Sequence, residues 1–286
     1  MSEALNVWRT AGALSIAGLL ALGGYRKRSL SPSGAVAAFL TGAVHFLAGP
    51  RLAYTLIAFF ISSSALTKFQ SGKKKELEHN HKEGGCRNWV QVLANSLFAS
   101  VLCALLLVCT DSLEKVIDLK AQPLESAILV AFIGHYACCN GDTWASEIGI
   151  LSKKKPYLVL NLRPVPHGTN GGISVLGLTA SAAGGLFIGL CFWLFGALLG
   201  VHSRRENLLV IAIGCVGGFL GSLIDSLLGA TVQYSGWCSK ERKVVETPGP
   251  TVTRISGLNI LDNHQVNFLS SLFTAALCYL LALYLS

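Results

Sequence analysis

The chain has 286 residues, of which 52% are hydrophobic and only 13% are charged, and its mean hydropathy is +0.54. An average soluble domain carries about 25% charged residues, so the composition excludes a soluble globular protein. It predicts one polytopic, all-α integral membrane domain that covers residues 1–286. The formal net charge is +8, and the loop distribution described below explains it without any nucleic acid partner.

The apolar stretches define the expected helices. A spanning helix needs about 20 apolar residues, and seven windows reach this length or come near it, while residues 52–67 are shorter. We therefore expect seven or eight spans. In chain order the windows are 8–24, 30–48, 52–67, 90–110, 124–141, 172–200, 207–230 and 265–285.

Basic residues indicate the orientation. A basic triplet, residues 26–28, follows the first window, which is typical of a retained signal anchor. With eight spans, the face that holds this triplet (side A) receives 17 of the 23 Lys and Arg residues, six of them in a basic loop at 68–89. The positive-inside bias predicts that side A is cytoplasmic.

Carboxylates, carboxamides and glycines also converge on side A. Asp142 and Glu147 follow the fifth window, and Asp225 lies 18 residues into the seventh, about 27 Å along a helix that starts at side B. The stretch PHGTNGGIS enters the sixth window from side A, and LDNHQVN enters the last one. This asymmetry predicts a site at one membrane face.

The residue types in this set favour phosphoryl transfer. Carboxylates without a thiolate or paired-His site suit Mg²⁺, glycine-rich turns at helix N-termini offer N–H groups to phosphate, and Lys and Arg neutralise phosphate charge. The P-loop, Rossmann and protein-kinase motifs are absent from the sequence. The expected metal ligands are Asp142, Asp225 and Asp262; the expected catalytic residues are Asp142, Glu147, Asp225 and Asn170; and the expected phosphate-binding residues are Lys68, Lys73, Arg87, Thr169, Gly171, Gly172 and Asn263.

Each motif also has a purely structural interpretation. Asp142 could cap the start of a helix, Asp225 could form a salt bridge, and the GTNGG stretch could be a tight turn. Glu147 lies about 140° around an ideal helix from Asp142, so joint metal ligation by these two would require a bend, for example at Gly141.

Five motifs, in this order between apolar spans, resemble the transmembrane protein 19 family: RNWVQVLANS, NGDTWASEIG, HGTNGGIS, GSLIDSLLGATVQ and LDNHQVN. That family includes the plastid phytyl-phosphate kinase and is distantly similar to CTP-using polyprenol and phytol kinases. The matching residues are Asn140, Asp142, Ser146, Glu147, Thr169, Asn170, Asp225, Asp262 and Asn263. The resemblance implies an isoprenoid monophosphate as substrate and CTP or another nucleotide as phosphoryl donor.

The leading hypothesis is therefore a Mg²⁺-dependent kinase in the lipid bilayer that converts an isoprenoid or polyprenyl monophosphate to its diphosphate. A transporter of an ion or small anion, with its site near the midplane, is the rival hypothesis, and a membrane scaffold without chemistry is the third. Because no plastid transit peptide is recognised, we expect the endoplasmic reticulum or another endomembrane, with the active face cytoplasmic.

Overall fold

The computed structural model describes residues 3–77, 86–109, 116–201 and 204–286, with side chains for 7–69, 86–109, 116–201 and 208–286. Within these ranges the chain forms eight α-helices and two small antiparallel sheets. The helices are α1 (Glu3–Arg26), α2 (Pro32–Ala48), α3 (Pro50–Leu77), α4 (Trp89–Cys109), α5 (Pro123–Gly149), α6 (Val175–Leu198), α7 (Arg204–Val232) and α8 (Asn263–Tyr284). The strands are β1 (Tyr157–Leu158), β2 (Gly172–Ile173), β3 (Ser235–Cys238), β4 (Lys243–Val245) and β5 (Val252–Ser256).

The expectation of an all-α integral membrane protein is confirmed, and each apolar window corresponds to one helix. Six of the described helices are long and apolar enough to cross a membrane, so the count of seven or eight spans agrees only approximately. The six segments are Val7–Arg26, Pro50–Phe69, Trp89–Cys109, Val175–Leu198, Leu208–Val232 and Asn263–Tyr284. The two other helices are α2, which has only 17 residues, and α5, which is the central helix of the bundle.

Helix α5 is the core around which the other helices are arranged. Every residue from 126 to 141 is buried, and the helix packs against α3, α4, α6, α7 and α8. A helix that is apolar on all sides is expected to be buried on all sides, so the AILVAFIG stretch explains this position. The helix is longer than its apolar window because it continues to Gly149, and Asp142 and Glu147 therefore lie within it.

Polar side chains inside the bundle bond mainly to backbone or to one another. His45 Nδ1 donates to the Thr41 carbonyl at 2.8 Å, so its Nε2 is the acceptor for the Tyr136 hydroxyl, also at 2.8 Å. His135 Nε2 donates to the Asn95 carbonyl at 3.0 Å. These bonds give the buried histidines structural partners.

A buried arginine lies at the opposite end of the bundle from the carboxylates, near the start of α3. Arg51 is 1% exposed, and its Nε donates to the Phe192 carbonyl on α6 at 2.9 Å. Its guanidinium group also lies 3.7 Å from the centre of the Phe192 ring, a cation–π contact. The side-B end of α3 is thus fixed to α6.

Both sheets lie on side A, and the apolar windows did not predict them. Strands β1 and β2 pair within the α5–α6 connection, and the β4-β3-β5 sheet forms the α7–α8 connection. Strand β2 occupies the first residues of the window 172–200, so α6 begins only at Val175. The basic loop predicted at 68–89 is also different, because α3 continues to Leu77 and residues 78–85 lie outside the described part of the chain.

Helices α6 and α7 touch through glycines. A Cβ atom built on Gly185 would lie 2.7 Å from the Cα atom of Gly218, and one built on Gly218 would lie 2.6 Å from the Cα atom of Gly185. Such distances exclude any side chain at these positions without separation of the helices. Small residues that allow close backbone approach are a common basis of helix packing in membranes.

We expect Gly185→Ala to lower the free energy of unfolding by about 1–3 kcal/mol, because an extra methyl group overpacks the α6–α7 contact. Thermal unfolding of the detergent-solubilised protein measures the effect. Gly12→Ala is the matched control, because a Cβ atom there meets nothing within 4 Å. Equal stability of the two variants would contradict the packing described above.

Candidate functional site

The structure brings Asp142 of α5 and Asp225 of α7 together. Ser222, one turn before Asp225 on α7, donates from its hydroxyl to Asp142 Oδ1 at 3.4 Å. Ser270 of α8 donates to Asp225 Oδ2 at 3.0 Å, and the two half-buried carboxylates interact electrostatically. Three helices thus contribute to one polar cluster, which we call the carboxylate pair.

The carboxylate pair lies near side A. Asp142 and Asp225 each precede the last residue of their helix by seven positions, and Ser270 follows the first residue of α8 by seven. Seven residues correspond to about 10 Å along a helix axis. All three helices therefore place their polar side chains at a similar depth, in the side-A half of the spanning segments of α7 and α8.

Two neighbouring carboxylates repel each other unless a proton or a cation neutralises one of them. An ionisable pair inside spanning helices is costly, and each carboxylate accepts a hydrogen bond from one serine hydroxyl. The donor set fits Mg²⁺, which is bound by one or two carboxylates and keeps water or phosphate oxygens as its other ligands. The pair is therefore a candidate site for that metal.

The expectation that Asp262 joins this metal site finds no support in the described part of the chain, where no group of three or more His, Cys, Asp or Glu residues could hold a metal ion. Asp262 instead caps α8. Its Oδ1 accepts hydrogen bonds from the backbone N–H groups of His264 and Gln265 at 2.8 and 2.9 Å, and Gln265 returns a bond to the Asp262 N–H group. Asn263 is the exposed first residue of the same helix, so its expected contact with phosphate stays a prediction.

Glu147 lies on another face of α5, as the helical angle predicted. Its Oε1 accepts a hydrogen bond from the Thr67 hydroxyl on α3 at 3.0 Å, and its side chain is only 3% exposed. It interacts electrostatically with Arg87, which also donates to the Ser64 hydroxyl on α3. Since α5 continues as one α-helix through Gly141 and Glu147 contacts Thr67 and Arg87, Glu147 belongs to this second cluster and not to the carboxylate pair.

Arg87 precedes α4 and lies outside the spanning segment. Its backbone pairs with the segment before α2, through Ser31 N–H to the Arg87 carbonyl at 2.9 Å and Arg87 N–H to the Ser29 carbonyl at 3.0 Å. Burial lowers the pKa of the guanidinium, and the neighbouring Glu147 carboxylate opposes this shift. The side chain remains a fixed positive charge on side A, because the ordinary pKa of arginine is far above neutral.

The glycine-rich loop from Thr169 to Gly172 has a structural role. The Asn170 N–H group donates to Ser235 Oγ at 3.0 Å and its side chain donates to the Tyr234 carbonyl at 3.3 Å. The Gly172 N–H group bonds to the Thr169 carbonyl. These donors were expected to bind phosphate; the two N–H groups have partners within the fold, and the expected contact with phosphate stays a prediction.

Gly171 explains why this loop needs glycine. Its φ angle is +77°, and a Cβ atom there would lie 2.6 Å from the Ser226 carbonyl oxygen on α7. The loop is therefore a tight turn docked on the end of α7, which is the structural alternative for the GTNGG stretch. Its effect on the carboxylate pair is indirect, since it holds the helix that carries Asp225.

The two predicted lysines lie on the extended end of α3. Lys68 is exposed, and its ammonium group lies 3.4 Å from the Lys27 carbonyl oxygen. Lys73 belongs to the part of α3 for which no side chains are described, so its expected role lies outside the described residues.

Sequence reasoning missed Ser222, Ser270 and Thr67, although the i, i+3 spacing of Ser222 and Asp225 could have identified the first.

The fold and the carboxylate pair define a polytopic integral membrane protein with an acidic site near one face. The chain belongs to the integral membrane protein DUF92 family, whose pattern matches residues 15–275. It is 47% identical to Protein PGR of Arabidopsis thaliana over 276 residues, which is 96% of each chain. The resemblance to the transmembrane protein 19 family is not among these findings and stays a prediction.

Two more distant relatives extend the comparison. An uncharacterized membrane protein of Methanocaldococcus jannaschii is 30% identical over 224 residues, which cover 78% of this chain and 83% of the relative. Protein VTE6, chloroplastic, of Arabidopsis thaliana is 27% identical over 205 residues, which cover 71% of this chain and 56% of the relative. No solved structure matches the chain significantly.

The capping role of Asp262 can be tested by its effect on the stability of the protein. We expect Asp262→Ala to lower the free energy of unfolding by about 0.5–2 kcal/mol and Asp262→Asn to restore it, because asparagine caps a helix as well as aspartate. Thermal unfolding measures both effects. Full stability of Asp262→Ala would show that the capping box contributes nothing.

Proposed function

We propose that the protein is a membrane-embedded, Mg²⁺-dependent kinase that converts an isoprenoid monophosphate to its diphosphate with CTP or another nucleotide as donor. The observation that carries the proposal is the Asp142–Asp225 pair, which three helices hold at one depth near side A. A lipid phosphate has its chain in the bilayer and its charged group at the boundary. A site at this depth therefore suits such a substrate.

The reaction needs little covalent chemistry from the protein. An oxygen of the lipid phosphate forms a bond to the terminal phosphorus of the nucleotide, and the bond from that phosphorus to its bridging oxygen breaks, which releases the nucleoside diphosphate. The acceptor is already an oxyanion at neutral pH, so no general base is required. Positioning and charge neutralisation then account for most of the catalysis.

The residues of the pair have defined roles in this scheme. Asp142 and Asp225 would hold the metal, and a bound Mg²⁺ would neutralise the phosphate oxygens of the nucleotide donor. Ser222 and Ser270 orient the two carboxylates through the hydrogen bonds described above. Glu147 keeps Thr67 and Arg87 in place on the neighbouring face of α5, where it acts as a positioning residue.

The motif resemblance supports the substrate class, and the family supports the membrane location. One relative is chloroplastic by name, so the comparisons give no support to the endoplasmic reticulum or to a cytoplasmic orientation of side A. Both stay predictions.

The offset of the pair towards side A and the apolar interior of the bundle favour this proposal over transport. A transporter site lies near the midplane, where it can open to either side. The carboxylate pair lies about 10 Å from the side-A ends of its helices, and buried apolar side chains such as Phe132 and Phe192 occupy the bundle interior. This arrangement favours an enzyme that faces one side.

The first experiment tests transfer itself. Purified protein, a radiolabelled nucleotide and a panel of prenyl monophosphates should yield labelled prenyl diphosphate, and removal of Mg²⁺ with a chelator should abolish the product. CTP, ATP, GTP and UTP are compared as donors. If no combination of donor and prenyl phosphate gives product with folded protein, the kinase proposal is wrong.

The second experiment tests the pair. We expect Asp142→Asn and Asp225→Asn each to lower the transfer rate at least about 100-fold, because loss of either ligand removes charge stabilisation of the transferred group. The double variant should be no slower than the slower single variant, as expected for residues that act as a unit. Asp262→Asn is the control and should retain activity. Normal turnover of Asp142→Asn would leave the pair without a catalytic role.

A further inference from the structure

A second feature of the structure, away from the carboxylate pair, is a cavity of about 410 Å³ between helices α1, α2, α3 and α4. Its volume lies within the range of about 300–1,000 Å³ that is typical of small-molecule sites. Along α3 the lining extends from Ala53 to Lys68, which corresponds to about 22 Å. The cavity is therefore long relative to its volume and crosses most of a hydrocarbon core of about 30 Å.

The interior of the cavity is apolar, and its polar residues are concentrated at one end. Phe46, Leu56 and Ile57 line the part that lies towards side B. At side A the lining includes Lys27, Lys68, Arg87, Ser64 and Gln91. The ends of α1 and α3 and the start of α4 meet there, so the cavity has one polar mouth.

The mouth carries an excess of positive charge among the described residues. Three cations line it, whereas Glu147, which offsets part of the Arg87 charge, is not among the lining residues. The N-terminus of α4 contributes the positive end of its helix dipole to the same region. Lysine and arginine at such a mouth suit a phosphate group.

The cavity is also open sideways to the bilayer. Leu19 and Leu20 of α1 and Ile61 of α3 line it and are 70%, 45% and 61% exposed. Helix α1 packs mainly against α2, which leaves a gap towards α3. A molecule dissolved in the membrane can enter through this gap without crossing water.

From these observations we infer that the cavity binds the acceptor lipid, with a single isoprenoid chain between α1 and α3 and its phosphate at Lys27, Lys68 and Arg87. A volume of about 410 Å³ spread over this length suits one chain and not the two chains of a phospholipid. The positive charge at the mouth favours the isoprenoid phosphate over the corresponding isoprenoid alcohol, which is neutral. The identity of the ligand as a prenyl monophosphate rests on the proposed function, whereas the cavity and its charges do not.

The inference assigns Lys68 and Arg87 to the lipid phosphate, although the sequence predicted that they neutralise the nucleotide. Arg87 contacts Glu147 electrostatically, and Glu147 lies five residues after Asp142 on α5, about 7.5 Å along the axis. The mouth is therefore near the level of the carboxylate pair but nearer the membrane surface. The two sites share the side-A end of α5.

A pair of glycines on α1 provides a matched test of the cavity. Gly23 lines the cavity and Gly12 does not, and a Cβ atom on either meets nothing within 4 Å. Gly23→Phe places a ring in the cavity, while Gly12→Phe makes the same change elsewhere on the helix. Gly23→Leu is a smaller second variant if Gly23→Phe does not fold.

The assay is equilibrium binding of radiolabelled geranylgeranyl monophosphate to the full chain in neutral phosphatidylcholine nanodiscs, without nucleotide. We expect Gly23→Phe to raise Kd at least about tenfold and Gly12→Phe to leave it unchanged. Unlabelled geranylgeranyl monophosphate should compete, and inorganic phosphate should not. If Gly23→Phe and Gly12→Phe bind the ligand equally well, or if two-chain phosphatidic acid competes as strongly, the inference is wrong.

The mouth is tested with charge variants. Lys68→Gln should raise Kd for geranylgeranyl monophosphate about fivefold, since a partly exposed ion pair contributes little more, and should not change the weak binding of geranylgeraniol. Lys154→Gln, an exposed side-A lysine outside the cavity, is the control. An equal effect of Lys68→Gln on both ligands would contradict a phosphate at the mouth.

The outcomes separate this inference from the proposed function. Binding that Gly23→Phe abolishes, in a protein that transfers no phosphoryl group from any nucleotide, would support the cavity and overturn the kinase proposal. Transfer activity with an unchanged KM for prenyl phosphate in Gly23→Phe would support the kinase proposal and overturn the cavity.

Discussion

The rotation of helix α5 is the constraint on which the arrangement of the site depends, and the carboxamide of Asn140 fixes that rotation. Ser62 and Ser63 of α3 donate to its Oδ1 at 2.7 and 3.3 Å, and its Nδ2 donates to the Gly184 carbonyl of α6 at 2.8 Å. The side chain is fully buried, where hydrogen bonds that go unsatisfied are costly. With Asn140 held between α3 and α6, Asp142 faces α7 and Glu147 faces α3.

The sequence predicted the helices well because a spanning segment has to be both long and apolar. It did not predict that α5 continues through its polar end, since hydropathy identifies the lipid-embedded part of a helix and not its last turns. The choice between ligand and structural roles also lay beyond it. Asp262 and Asp225 have the same chemistry, and only the fold shows that one meets backbone N–H groups and the other meets Asp142.

The glycine-rich stretch is a second case in which the sequence alone does not decide between a ligand-binding and a structural role. A helix N-terminus with glycines can bind phosphate, but glycine also permits a tight turn, and the sequence does not distinguish these uses. In the fold, Gly171 has a positive φ angle and approaches α7, while Asn170 bonds to the strand that follows α7. The two carboxylates of the pair, by contrast, contact serine hydroxyls and each other. Neither a turn nor a helix cap requires two adjacent carboxylates, so the pair is a stronger candidate for a functional site than the glycine-rich loop.

The buried Arg51 has a consequence for how the protein responds to its membrane. It joins α3 to α6 at side B, while Thr67 joins α3 to α5 at side A. Thr67 follows Arg51 by sixteen positions, which corresponds to about 24 Å of helix, fixed at both ends to the bundle. Helices without such anchors adapt to thicker or thinner bilayers by tilting. Because α3 is bonded to its neighbours at both ends, we expect it to tilt together with the bundle and not by itself when the lipid composition changes.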